Sequence, residues 1–310
     1  MKRLISVTII ALLVMLSIDI LGISFANSTI PNSITAQTAF AEEMALAPNE
    51  AITKAATLTK VTISPNKFTL APGKTRQLNL TLTPSNASLL AKTEWESDNK
   101  EIATVDKNGK VTAIKEGIVR ISFATWSKKD YSDSKYANTI CYVSKKSPSA
   151  AALTSNDFQI TIDDVKVNYS LSYNQVKKLF PGGKDDKNYD TKYMAYIVSD
   201  KNYTYSYDFL FKKTGDGNRK LLGAMCSYNG GGSTLKTPRG INLGSSTIID
   251  VVNTYGFPSY CGDGYFLYYD VKIGKDSYTL MVFGERDGYS VPKKTIIMIG
   301  VAKNTSLEKN

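Results

Sequence analysis

"KEIATVDKNGKVTAIKEGIVRIS", residues 100 to 122, decides how the first half of this chain folds. Ile102, Thr104 and Asp106 share one side of an extended strand and Ala103 and Val105 the other, because side chains alternate with period two. Asn108-Gly109 is a hairpin signal, since both residues tolerate the positive φ of a tight primed turn. Val111, Ala113 and Ile114 restart a strand, Gly117 breaks it, and Ile118, Arg120 and Phe123 carry the next. Asp106-Lys107-Asn108-Gly109 has the flavour of a calcium loop. Such a loop needs oxygen ligands at several alternate positions and a closing Glu, which are missing here. The stretch predicts a β-hairpin, and no metal or cofactor is expected.

The same grammar extends outward over residues 58–146. Val61-Thr62-Ile63 opens a strand, and Pro65-Asn66 and Ala71-Pro72-Gly73 supply turns. Leu78, Leu80 and Leu82 alternate with Asn79, Thr81 and Thr83, a half-buried strand ended by Pro84. Trp95 between Glu94 and Glu96 reads as an inward aromatic between outward charges. With no stretch of helical period, the expectation is an all-β sandwich.

The run of motifs here is specific. Pro72-Gly73 before an alternating strand, the "TPSNA" turn, Trp95-x-Ser97-x-Asn99, "IATVDKNGKVTAIKEGIVRI" and the closing "KYANTICYV" together resemble the bacterial Ig-like domain, group 2. The resemblance implies an Ig-like sandwich of the kind found on bacterial surface and secreted proteins, adhesins among them, acting as spacer or binding module without catalytic residues. The insert "WSKKDYSDSKY" departs slightly from the usual length of that loop.

At the N-terminus, Lys2-Arg3 and the apolar run Leu4 to Leu16 form the charged and hydrophobic regions of an export signal. Ala39-Phe40-Ala41 and Ser24-Phe25-Ala26 are alternative cleavage patterns. Asp19 interrupts the apolar stretch, so no stable membrane span is expected in the mature chain. The organisation expected is a signal peptide at 1–41, a flexible leader at 42–57, the Ig-like domain at 58–146, a Ser/Ala/Lys linker at 147–157 and a second domain at 158–310. The product is expected to be secreted, extracellular or associated with the cell surface. The whole chain carries 38 basic and 28 acidic residues, a net charge of +10. That balance favours anionic partners, but without an Arg-rich run it reads as a solubilising surface, and no nucleic acid is expected.

Composition changes sharply after the linker, where 16 of the 19 tyrosines lie. Two segments look like copies: "SLSYNQVKKLFPGG" (170–183) and "LGSSTIIDVVNTYGFP" (243–258). Ser172 and Ser245 or Ser246 are expected to cap helices with apolar faces Val176, Leu179, Phe180 and Ile248, Val251, Val252, Tyr255. About three strands follow each, with turns at 215–217, 274–276 and 286–288. This predicts an α+β domain of two αβββ repeats, about 158–229 and 236–303, with helices on one face of an antiparallel sheet. The layout is similar to the β-lactamase-inhibitor-protein-like and small outer-membrane lipoprotein folds.

The chain has no histidine, which removes the commonest catalytic base and His-ligated zinc. Cys226 and Cys261 are either a disulfide across the repeats or two buried thiols. Asp185, Asp186 and Asp190 among lysines read as a solvated loop. Tyrosine carries the binding expectation. Tyr203, Tyr205 and Tyr207 are placed on one exposed face of a strand, away from the helices, extended by Tyr265, Tyr268 and Tyr269; rings buried under the helices are the rival arrangement. The function expected is a non-enzymatic surface-type binding or adhesion protein, an Ig-like spacer presenting a tyrosine-rich domain to a cell-wall polymer, glycan or protein ligand. A secreted enzyme inhibitor and an envelope hydrolase with an unfamiliar site are the alternatives.

Overall fold

The computed structural model describes residues 56–305, apart from 189–191, 203, 214, 229–233, 264 and 288–290. The expected signal and nearly all of the leader lie outside the described residues. Thr57 onward forms one compact unit.

The first domain is a sandwich of nine strands: β1 (Lys60–Ser64), β2 (Lys67–Leu70), β3 (Thr75–Gln77), β4 (Asn79–Thr83), β5 (Lys92–Ser97), β6 (Ala103–Val105), β7 (Lys110–Ala113), β8 (Gly117–Trp126) and β9 (Lys135–Val143). β2-β9-β8-β5 form the largest sheet, with β2 parallel to β9, opposed by β3-β7-β6 and the pair β1-β4. Val61, Phe68, Leu78, Val111, Ile121 and Phe123 are buried between them. Trp95 sits against Phe123, with ring centroids 4.9 Å apart, and its flanking glutamates are exposed.

The opening hairpin forms as expected, pairing Ala103 with Ala113 and Val105 with Val111. Its turn differs from the two-residue primed type. Only Gly109 has positive φ, at 79°, and an added Cβ there would strike the Trp95 ring. The Asp106 carboxylate accepts hydrogen bonds from the backbone N–H of Asn108 and Lys110, both at 2.9 Å. The acidic residue closes its own loop, an Asx-type arrangement, which is why a hairpin turn can look like a calcium loop.

The second domain opens with a 3-10 turn (Ser155–Phe158) and the strands β10 (Ile160–Ile162) and β11 (Val165–Val167). Helix α1 (Tyr173–Leu179) precedes β12 (Lys184–Asp186), β13 (Tyr193–Ser199), β14 (Tyr205–Lys212) and β15 (Gly223–Tyr228). After β16 (Leu235–Lys236), which joins β10, helix α2 (Ile248–Tyr255) precedes β17 (Tyr260–Gly262), β18 (Phe266–Ile273), β19 (Asp276–Asp287) and β20 (Val291–Thr305). The eight-stranded antiparallel sheet runs β12-β13-β14-β15-β20-β19-β18-β17. The two repeats therefore meet through their last strands, and the sheet strands of each begin with a short edge strand that the reading of three strands per repeat missed. "KDD" and "YCG" are too short to show alternation.

Ser172 caps α1 in a capping box with Gln175, as expected. α2 is capped by Thr247 rather than by Ser245 or Ser246: its hydroxyl accepts from Asp250 N at 3.2 Å, while the Asp250 carboxylate takes Thr247 N at 2.8 Å. Val176 and Phe180 are buried but Leu179 is 42% exposed, because the helix ends there and Phe180 turns back over the sheet. Ile248, Val251, Val252 and Tyr255 all face the core. The 274–276 turn forms between Ile273 and Asp276; that after Asp287 lies outside the described residues.

Candidate functional site

Register sorts the tyrosines between the two faces of the large sheet. On the helix side, one row runs Tyr196, Phe209, Ala224, Val301, Leu280 and Tyr269, and the next runs Val198, Tyr207, Cys226, Ile299, Val282, Leu267 and Cys261. The expected exposed platform is thus of the opposite parity. Tyr207 is 3% exposed and packs edge-on against Phe180 beside α1, with centroids 5.9 Å apart. Tyr205 is half-buried against Tyr207. Tyr269 is buried beneath Tyr255 of α2, its hydroxyl donating to Gly256 O at 3.0 Å. Tyr203 lies outside the described residues. The small polar residues Ser206 and Asp208 take the helix-free face, opposite the rings, and not the helix side to which the expected parity assigns them. The error was in which face the helices cover.

Tyr268 alone of the buried candidates points to the helix-free face, and it marks the most suggestive surface of the molecule. Tyr260, Phe266 and Tyr268 lie mutually 4.5–5.9 Å apart between ring centroids, and Phe266 stacks on Phe283 at 4.1 Å. Tyr268 and Phe283 form the buried floor, and Tyr260 and Phe266 are half-exposed at its rim; Tyr265, next to Phe266 in the chain, is half-exposed too. The Tyr265 backbone is held at both ends, donating to Gly262 O and accepting from Gly284 N.

One wall comes from the Ig-like domain. The Arg120 guanidinium lies over the Tyr260 ring, 4.9 Å from its centroid, a cation–π placement. Its Nε is 2.9 Å from Asp98 Oδ2, an ion pair without the alignment of a hydrogen bond. Burial holds the Asp98 carboxyl above its usual range, although Arg120 pulls it the other way. Asn99 Nδ2 donates to Asp263 O at 3.3 Å across the same seam. The result is an aromatic crease with a cation at its edge.

Two polar groups on the helix-free face are poorly matched. The Tyr268 hydroxyl is buried without a hydrogen-bond partner, and burial pushes it well up. Asp208, in the same cross-strand row, is 5% exposed and accepts from Ser206 Oγ at 2.6 Å. Burial pushes its carboxyl up to about 6, opposed by the Ser206 hydroxyl and helped by Asp186.

The cysteines do not supply a nucleophile. Cys226 and Cys261 form no disulfide and sit in one row of the sheet with β20, β19 and β18 between them. Four strand spacings, about 19 Å, exclude a disulfide. Burial raises the Cys141 thiol to about 12 and holds the Cys226 thiol well above its ordinary value, and Cys261 is buried as well. Asp185 accepts from the Tyr173 hydroxyl, and with Asp186 it lies in the edge strand β12; Asp190 is outside the described residues.

Residues 57–134 match the family model for the bacterial Ig-like domain, group 2. The first domain is a member of that family, and the structure adds the closing strand β9 beyond the matched stretch. An uncharacterized protein of Clostridium acetobutylicum is 41% identical over 76 residues, 24% of this chain and 8% of that protein. The match thus spans under a tenth of the relative's length. Domains of this family are typical of extracellular or surface proteins. Among the described residues, no helix is long and apolar enough to cross a membrane.

Of the residues that meet in this crease, the sequence expectation names Tyr268 but not Tyr260, Phe266, Phe283 or Arg120. The aromatic density of "SYCGDGYFLYY" was a usable signal. Nothing local ties Arg120 to Tyr260.

Proposed function

We propose that this chain is a secreted, non-enzymatic surface-type binding protein, in which the Ig-like domain presents the α+β domain and the crease at their junction is the recognition surface. The single observation that carries the reading is the half-exposed pair Tyr260 and Phe266 over a buried aromatic floor, with Arg120 at its edge. Rigid rings offer large contact area for little lost entropy, and a neighbouring guanidinium favours ligands carrying acidic or hydroxyl groups. A cell-wall polymer or other glycan fits that chemistry best. The family of the first domain supports an extracellular setting.

The test is a pull-down of wall polymer and glycan fractions by the full chain. Tyr260→Ala and Phe266→Ala should each weaken capture by about tenfold, the scale of an aromatic hot spot. Tyr136→Ala, at a ring 66% exposed and remote in register from the crease, should leave it unchanged. Equal capture by all three variants would sink the assignment.

The helix-free sheet face of the tandem repeat also favours a second reading, a secreted protein inhibitor docking that face on an enzyme. Inhibition of a purified target by the full chain, lost with Phe266→Ala but with no glycan retained, would select it.

A further inference from the structure

An Ig-like sandwich that serves as a free spacer needs apolar residues on its inner faces only. Here the outer face of the largest sheet is apolar as well. Ile118 pairs with Tyr142 and Arg120 with Ile140 on that face, while Val119, Ile121 and Cys141 point into the sandwich. Ile118 and Tyr142 are fully buried and Ile140 nearly so, in one cluster with Val251, Val252 and Tyr255 of α2. The Tyr142 hydroxyl donates to Asn253 Oδ1 at 3.1 Å, and its ring meets Phe257 edge-on at 6.4 Å.

The segment between the domains is pinned too. Arg239 uses its guanidinium completely. Nε and Nη2 take the two oxygens of Asp157 at 2.6 and 2.9 Å. Nη1 donates to Ala151 O and Thr254 O, and Nη2 also to Ala152 O. Its face lies over the Tyr255 ring at 5.2 Å. One side chain therefore ties the connecting carbonyls to the C-terminal end of α2, with all five donors satisfied.

We infer that the two domains are a single cooperative body, joined through the outer face of the Ig sheet and locked by Arg239, rather than two modules on a flexible linker. The inference goes beyond the binding reading and does not depend on it. Its functional meaning is preorganisation: Arg120 and Tyr260 belong to different domains, so a rigid junction holds the crease in shape before any ligand arrives.

Calorimetric unfolding and limited proteolysis of the full chain test it. The unaltered chain should unfold in one transition and resist cleavage between residues 144 and 157. Ile118→Asp, which places a charge in the junction but outside the sandwich core, should split the unfolding into two transitions. Arg239→Met should raise cleavage of the connecting segment by about tenfold or more, because local opening then no longer breaks the guanidinium's bonds. Two transitions in the unaltered chain, or one transition and unchanged cleavage in both variants, would overturn the inference.

Discussion

The two faces of the eight-stranded sheet bury similar side chains under different terms. On the helix face three phenols of the sheet itself are matched: Tyr196 donates to Phe180 O at 2.8 Å, Tyr269 to Gly256 O at 3.0 Å and Tyr207 to Asp163 Oδ2 at 2.6 Å, whereas the hydroxyls of Tyr169 and of Tyr255 on α2, off the sheet, are buried without a partner. On the opposite face the Tyr268 hydroxyl has no partner, and Asp208 rests on Ser206. The first arrangement is what a core requires, since a buried polar group without a partner costs about 1–3 kcal/mol. The second keeps unmet polarity beside an apolar surface, the pattern expected where structure yields to recognition.

Three measurements can break or sharpen that contrast. The largest effect is expected from Tyr207→Ala. If Tyr207 is helix-face core, denaturant melts should show a loss of about 3–5 kcal/mol, the range of large-to-small core substitutions. A loss under about 1 kcal/mol would put the ring back on a recognition surface and reverse the assignment of faces.

Next in size is the pH dependence of Asp208. Its folded pKa of about 6 lies above the ordinary 3.8, so the native state holds the proton more tightly than the unfolded chain does. The group's contribution is therefore most favourable in acid and declines as pH rises from about 4 to about 6, by roughly 3 kcal/mol in all at 1.36 kcal/mol per unit. Asp208→Asn should remove that slope and be the more stable protein at neutral pH. An unchanged stability profile between pH 4 and 7 would show that Asp208 is hydrated rather than buried.

The smallest effect is a pair of single-atom deletions. Tyr269→Phe should destabilise by about 1 kcal/mol, because Gly256 O loses its donor. Tyr268→Phe should be neutral or slightly stabilising, because no bond is lost. Equal losses for the two would mean that the Tyr268 hydroxyl has found a partner.

Legibility in the sequence followed the range of the forces involved. The caps of both helices were within reach because they are satisfied within one turn of chain. The error of Ser245 or Ser246 for Thr247 came from choosing among adjacent hydroxyls without seeing that Asp250 stands three residues after Thr247. The parity of β14 was not within reach. Alternation states that Tyr205, Tyr207, Phe209 and Phe211 share a face, yet both phases of a period-two pattern are equally regular. β8 shows the same limit from the other side: Ile118 reads as one more alternating residue of a sandwich strand, and its outward burial has no sign in residues 117–126.

What the sequence by itself determined was the local layer: the hairpin through Asp106–Gly109, the Ig-like run, the two helices and the repeat of helix followed by strands. Hydrogen bonds within a few residues and the periods of strand and helix specify those, and they are written in neighbouring letters. Only the tertiary structure decided which face of each sheet is covered, that β15 and β20 join the repeats, that Cys226 and Cys261 stand four strands apart, and that Arg120 reaches Tyr260. Each of those is a choice of partner between surfaces far apart in the chain. An apolar face announces only that it must be covered, because the hydrophobic effect is non-directional and carries no address.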